Sequence, residues 1–257
     1  MKKQSLLVIV PARNEECSVG DVVRSVRRAL PGTPVLVIDD HSGDGTAQAA
    51  SDAGARVVRL ARHMGLAGCL RTGYRMALDE GFERVVRVDA DGQHEAADIP
   101  LLLDALERSG ADIVIGSRFL GRGEWRTSRT RAIGIGVLRL LTARVLGKTV
   151  HDPTSGFIGV NRRALELLAN SSAPPYPEIG ALIGLRRNSC RIHEVACRMY
   201  PRRAGRSSMT FLTSLRYIGH VLKRMIPEDI PRKQISIAPL RPGLPDVPPG
   251  RHGFESE

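Results

Sequence analysis

Apolar residues follow two alternating rhythms over the first 116 positions. Short, nearly unbroken apolar runs stand at residues 6–10, 35–38, 56–60, 85–88 and 113–115. Between them apolar residues recur at three-and-four spacing, as in Val19, Val22, Val23, Val26 and Leu30, and again over 46–53, 66–78 and 99–108. The runs predict strands and the periodic segments predict helices. Ser18 stands where a helix N-cap belongs, and Gly54 and Gly81 stop the second and third helices. Strands this apolar are covered on both faces, so the alternation predicts a mostly parallel sheet with helices on each side.

The rhythm breaks after Gly116. Residues 119–131 are polar, basic and glycine-containing, which predicts a loop or flap. Helices are expected over 133–146, 164–169 and 178–187, and a strand over 191–199. Residues 209–226 read as an amphipathic helix, with Phe211, Leu215, Ile218, Leu222 and Met225 on one face and Lys223 and Arg224 at its end. Residues 227–257 hold seven prolines and no periodicity, the pattern of a disordered tail. No apolar stretch reaches the ~18 residues of a membrane span, and the five at 6–10 are too few for a signal-peptide core.

Charge changes the picture. The net charge is +11, and it is concentrated: residues 118–148 carry eight Arg or Lys against Glu124, and residues 186–206 carry seven Arg against Glu194. Such patches fit an anionic partner, whether a phosphorylated substrate, a membrane surface or nucleic acid. Four cysteines without a CxxC pair argue against zinc and for a reducing, cytoplasmic setting. Aromatics at 4% leave few platforms for nucleobase stacking, which argues against a nucleic-acid-binding protein.

Every notable polar cluster follows a predicted strand: Pro11-Ala12-Arg13-Asn14-Glu15, Asp39-Asp40, Asp89-Ala90-Asp91-Gly92-Gln93-His94 and Gly116-Ser117-Arg118. In a parallel sheet these converge on one edge, where ligands bind. Asp89 and Asp91, two apart on an extended segment, point the same way, and a cation between them relieves their repulsion. Hard oxygen ligands favour Mg2+ or Mn2+, with Gln93 adding a neutral oxygen. Asp39 or Asp40 could accept hydrogen bonds from a nucleobase or ribose, with Asp44 as a helix cap behind them. No glycine-rich dinucleotide fingerprint or P-loop is present, so a diphosphate would rest on a metal and basic side chains.

In order along the chain, 8–16, 37–46, 88–94, 115–119, Asp152-Pro153-Thr154-Ser155-Gly156-Phe157, and Glu194-Val195 with Arg202-Arg203-Ala204-Gly205-Arg206 resemble the motifs of family 2 glycosyltransferases of the polyprenyl-phosphate, dolichyl-phosphate mannose synthase-like group. The resemblance spans roughly residues 5–215. It departs at 62–68, where a Lys before Gly-Leu-Gly is usual, and at Ala196, where a proline is usual. The carboxy-terminal membrane helices of many relatives are missing as well.

The resemblance implies a GT-A-type, Rossmann-like α/β domain over 1–226, with a nucleotide-sugar half (1–116) and an acceptor half (117–226). It implies that Pro11, Ala12, Asn14 and Glu15 line the nucleobase pocket, and that Asp40, with Asp39 near it, binds base or ribose. Asp89, Ala90, Asp91 and Gln93 would hold metal and donor diphosphate, with Arg202 and Arg206 closing over it. Arg118, and more weakly Arg131, would hold an acceptor phosphate. The expected reaction is a single inverting displacement onto a polyprenyl phosphate at the inner membrane face. A hydroxyl acceptor would instead need a base, for which Asp152 is the candidate; its other reading is a turn residue before Pro153. A soluble hydroxyl acceptor and a nucleotidyltransferase remain the rival enzymes.

Overall fold

The computed structural model describes residues 4–121, 129–147, 149–170 and 177–200, with the backbone alone at 4, 129–135, 138, 145 and 177. In chain order the elements are β1 (Gln4–Ala12), α1 (Val19–Ala29), β2 (Val35–Asp39), α2 (Thr46–Asp52), β3 (Arg56–Arg59), α3 (Gly65–Asp79), β4 (Phe82–Arg87), α4 (Ile99–Ser109), β5 (Ile113–Ser117), α5 (Arg129–Leu146), β6 (Ile158–Asn161), α6 (Arg162–Asn170), α7 (Pro177–Arg187) and β7 (Ile192–Ala196). The strands form one sheet in the order β3-β2-β1-β4-β6-β5-β7.

Period-two alternation sends successive strand residues to opposite faces, and each face has its own core. Leu7, Ile9, Leu36 and Ile38 pack under α3, α6 and α7, against Leu70, Tyr74, Leu165 and Leu182. Leu6, Val8, Val10 and Val37 pack under α1, α2 and α4, against Val23, Ala50 and Leu102. Burying each large aliphatic side chain contributes about 1.5–3 kcal/mol, which is why the apolar runs locate the strands so well.

The structure corrects the sequence reading in several places. The strand β6 was not anticipated: it is four residues long, contains Gly159, and runs antiparallel to both β4 and β5. The fourth strand stops at Arg87, two residues short of Asp89, and the last covers Ile192–Ala196, not 191–199. Helix α5 starts at Arg129, four residues before its apolar period begins, so part of the expected loop is helical. Ser18 sits at the N-cap of α1 without capping it; its hydroxyl donates to the Glu15 carboxylate at 2.9 Å. The N-cap of α2 is Gly45, but the Asp44 carboxylate accepts the Thr46 amide at 3.1 Å and does the capping. The expected helix at 209–226 and the tail at 227–257 lie outside the described residues. Among the described residues no helix is long and apolar enough to cross a membrane.

All strands but β6 run in one direction, so the carboxyl ends of β1, β2, β4, β5 and β7 share an edge. Of the four cysteines, Cys17 is exposed and Cys69, Cys190 and Cys197 are buried. Burial, with Asp40 and Asp39 nearby, pushes the Cys69 thiol up to about 12, and burial raises Cys190 as well. A thiol reagent is therefore expected to titrate one sulfhydryl rapidly in the native protein and the other three only on unfolding. A second fast-reacting thiol would contradict the packing.

Candidate functional site

The loops after β1 and β2 are tied together by side chains. Asn14, in the left-handed region at φ 52°, accepts the Gly43 amide on its Oδ1 at 2.9 Å, and its own amide donates to Ser42 Oγ. The Glu15 amide donates to Thr46 Oγ1 at 2.8 Å. Pro11 and Ala12 are buried at the end of β1.

The neighbours Asp39 and Asp40 do different work. Asp40 accepts the Met64 and Gly65 amides at 2.6 and 2.9 Å and is 2.7 Å from His63 Nδ1, so it caps the amino end of α3. Arg13 donates to the other nitrogen of that ring at 2.6 Å. Asp39 is fully buried, and its Oδ1 takes both the amide and the hydroxyl of Ser42. Its Oδ2 lies 3.4 Å from Arg59 Nε but makes no hydrogen bond. A buried acceptor left open is costly, and a ligand N–H would satisfy it. The open oxygen thus belongs to Asp39, while the oxygens of Asp40 are committed.

Gly92, at φ 73°, turns the chain after Asp91, and Ala90 and Asp91 are buried. Asp91 Oδ1 accepts the Gln93 amide at 3.1 Å. The segment leaving β7 is stitched onto this loop. Tyr200 and Gln93 exchange two hydrogen bonds, His94 bridges to Met199, and buried Asp98 accepts the amide and guanidinium of Arg198. Arg202 and Arg206 lie outside the described residues.

Asp89 is gripped from three sides. Arg87 Nε donates to its Oδ1 at 3.0 Å, His94 Nε2 lies 3.4 Å from Oδ2, and Gly156 is packed against the carboxylate. The His94 ring stacks on Phe157, which fixes its direction. Burial works to raise the Asp89 pKa, but Arg87 and His94 outweigh it and hold the carboxyl well below the usual range. Arg87 also donates to Glu178 of α7 at 3.0 Å. Neither Arg87 nor Glu178 stood out in the sequence. The available signal was a charged residue between Val86 and Val88 in a buried strand, which only a buried ion pair makes tolerable.

Arg118 and Asp152 form a bidentate pair. The carboxylate takes Nε at 2.7 Å, Nη2 at 2.6 Å and the Arg118 amide at 3.1 Å, and Thr154 takes a further bond from Nη2. Burial lowers the Arg118 pKa, but Asp152, with Asp89 and Asp91 behind it, raises it overall and keeps the group charged. Asp152 is fully buried. Its loop is held by Glu194 of β7, which accepts the His151 and Asp152 amides at 2.7 and 2.9 Å. Arg131 lies in the first turn of α5, its side chain undescribed.

A cavity of about 280 Å3 lies behind the sheet, among α3, α6 and α7, with Arg87, Asp152 and Glu178 in its wall. At the β4 end of the edge stand the carboxylates of Asp89 and Asp91, with the neutral amide of Gln93 beside them. Among the described residues no three His, Cys, Asp or Glu side chains converge as a metal cage. That donor set fits a Mg2+ or Mn2+ that draws its remaining ligands from substrate phosphate and water.

Residues 7–168 match the family model for glycosyl transferase family 2. The undecaprenyl-phosphate mannosyltransferase of Micrococcus luteus is 33% identical over 80% of this chain and 87% of its own. The polyprenol monophosphomannose synthase of Mycolicibacterium smegmatis is 33% identical over 63% of this chain and 64% of its own. A crystal structure of glucosyl-3-phosphoglycerate synthase from Mycobacterium tuberculosis, with Mn2+, UDP-glucose and phosphoglyceric acid, superposes with a TM-score of 0.66 at 26% identity. That match covers 88% of this chain and 81% of the other.

Proposed function

The chain belongs to glycosyl transferase family 2 and is a glycosyltransferase of GT-A-type fold; from that premise we propose that it moves a sugar from a nucleotide diphosphate sugar to a polyprenyl phosphate. The observation that carries this reading is the meeting of Asp39, Asp89, Asp91 and Arg118 on one sheet edge. Relatives that act on polyprenyl phosphates support the acceptor class, and a related enzyme seen with Mn2+ and UDP-glucose supports the metal.

In this reading Asp39 Oδ2 accepts a nucleobase N–H beside Asn14 and Glu15. Asp89, Asp91 and Gln93 hold Mg2+ or Mn2+, which when bound supplies Lewis-acid charge to the leaving diphosphate. Arg202 and Arg206 would add positive charge over the same phosphates. Arg118, fixed by Asp152 through Nε and Nη2, would bring its positive charge to the acceptor phosphate, with Arg131 as the second candidate for that role. The acceptor oxygen is already anionic at neutral pH, so one inverting displacement needs no strong base. A hydroxyl acceptor would need one. Asp152 is poorly placed for that role, being fully buried with both oxygens engaged, and this favours the phosphate acceptor. The basic patches and the 209–226 segment suit an enzyme resting on the inner face of a membrane.

The test is thermal shift with Mn2+ and a panel of UDP- and GDP-sugars. At a ligand concentration about a hundredfold above Kd, binding adds about 2.7 kcal/mol, which raises Tm by roughly 5–10 °C for a domain of this size. One donor is expected to do this for the wild type and not for Asp91→Ala. An equal response in the variant, or none in the wild type, would overturn the reading.

A further inference from the structure

The triad of buried Arg87 with the partly exposed carboxylates of Asp89 and Glu178 joins the middle strand, the metal loop and α7. Arg87 is 2% exposed. Its contacts to Asp89 Oδ1 and Glu178 Oε1 are 2.9 and 3.0 Å. Stability alone does not account for such a group: well-packed apolar residues usually match or exceed a buried ion triad. Its position suggests a different job. Asp89 is reached by Arg87 on Oδ1 and by His94 near Oδ2, with Gly156 packed beside it, and 30% of its side chain stays open to a ligand. The carboxylate is therefore oriented before any ligand arrives.

We propose that Arg87 is a positioning residue of the donor site: a built-in cation, anchored by Glu178 of α7, that orients the Asp89 carboxylate and sets the charge a divalent cation meets there. This rests on the metal-dependent reading above. Asp89 and Asp91 alone would present two negative charges, and Arg87 offsets one. Glu178 in turn moderates Arg87, because a second carboxylate on the same Nη2 shares the guanidinium. Burial opposes the charge on Arg87, but Asp89 and Glu178 outweigh that and keep it protonated throughout the working range. Arg87 and Glu178 therefore push metal affinity in opposite directions, a signature that a merely structural cluster lacks.

The experiment is Mn2+ titration of folded protein, read by electron paramagnetic resonance of the free ion, with UDP or GDP present. Arg87→Met is expected to tighten Mn2+ binding roughly tenfold, since a unit charge a few ångströms away is removed. Glu178→Gln is expected to weaken it, by about threefold or more, because Arg87 then bears on Asp89 alone. Arg87→Lys, which keeps the charge, should stay close to wild type. Arg87→Met removes the guanidinium shared by Asp89 and Glu178 and risks the fold; Glu178→Gln, which preserves shape, then carries the test. Equal binding by Glu178→Gln and wild type, or shifts of Arg87→Met and Glu178→Gln in the same direction, overturns the inference and leaves the metal reading standing. A wild type that binds no Mn2+ overturns the reading and the inference together.

Discussion

Gly156→Ala is expected to lower kcat/KM for sugar transfer by about a hundredfold or more, the cost of misplacing a reacting constellation by an ångström. A β-carbon at Gly156 would lie 2.0 Å from Asp89 Oδ2 and 2.5 Å from its Cγ, far inside contact distance. The backbone conformation is not the obstacle, since Gly156 does not have a positive φ. The obstacle is the carboxylate, and it has little freedom to yield: Arg87 holds one oxygen and His94 stands at the other. Either Asp89 rotates and breaks the Arg87 pair, or residues 152–157 shift and carry Asp152, and with it Arg118. The first outcome damages the donor side, the second the acceptor side. Gly184→Ala, in α7 with nothing within 4 Å of the added carbon, is the control and should retain activity. The check is radiolabelled sugar transfer to polyprenyl phosphate, with the circular-dichroism melt confirming a folded variant. Wild-type kinetics for Gly156→Ala would mean that the Asp89 carboxylate is not used where it stands.

Much of this site could be read from local pattern, because local pattern is what sets it. The apolar runs located β1, β2 and β5, and the polar residues after each strand had to share an edge once the strands were parallel. The parts that escaped depend on distant chain. Whether Asp39 or Asp40 keeps an open oxygen is decided by the amides of Met64 and Gly65, two dozen residues away. The partners that engage Asp152 are Arg118, just past the end of β5, and Glu194 of β7, both distant in sequence. The strand β6 was missed because four residues with a glycine carry no measurable period, and its antiparallel course comes from the neighbours it fills between. Arg87 was the one omission with a visible signal, a charge in an apolar strand.

Arg118→Met is expected to destabilise the fold by about 3–5 kcal/mol, the usual cost of stranding one partner of a buried ion pair. The stranded group is Asp152, which is fully buried and would lose its guanidinium partner. Arg118→Met/Asp152→Leu removes both charges and should recover most of that loss in denaturant unfolding, while remaining unable to transfer sugar. Stability and activity therefore separate, which they would not if Arg118 served packing alone. Asp152→Asn then decides between acceptors. It keeps a hydrogen-bonding partner for Arg118 but abolishes any basic role. If the acceptor is a phosphate, the acceptor KM rises while the pH profile of kcat keeps its shape, because no proton is abstracted at residue 152. If the acceptor is a hydroxyl and Asp152 is the base, kcat falls by about 10²–10⁴-fold and the acid limb of the profile disappears. The bidentate contact at 2.6 and 2.7 Å, with Glu194 bracing the loop from behind, makes the first outcome the expected one.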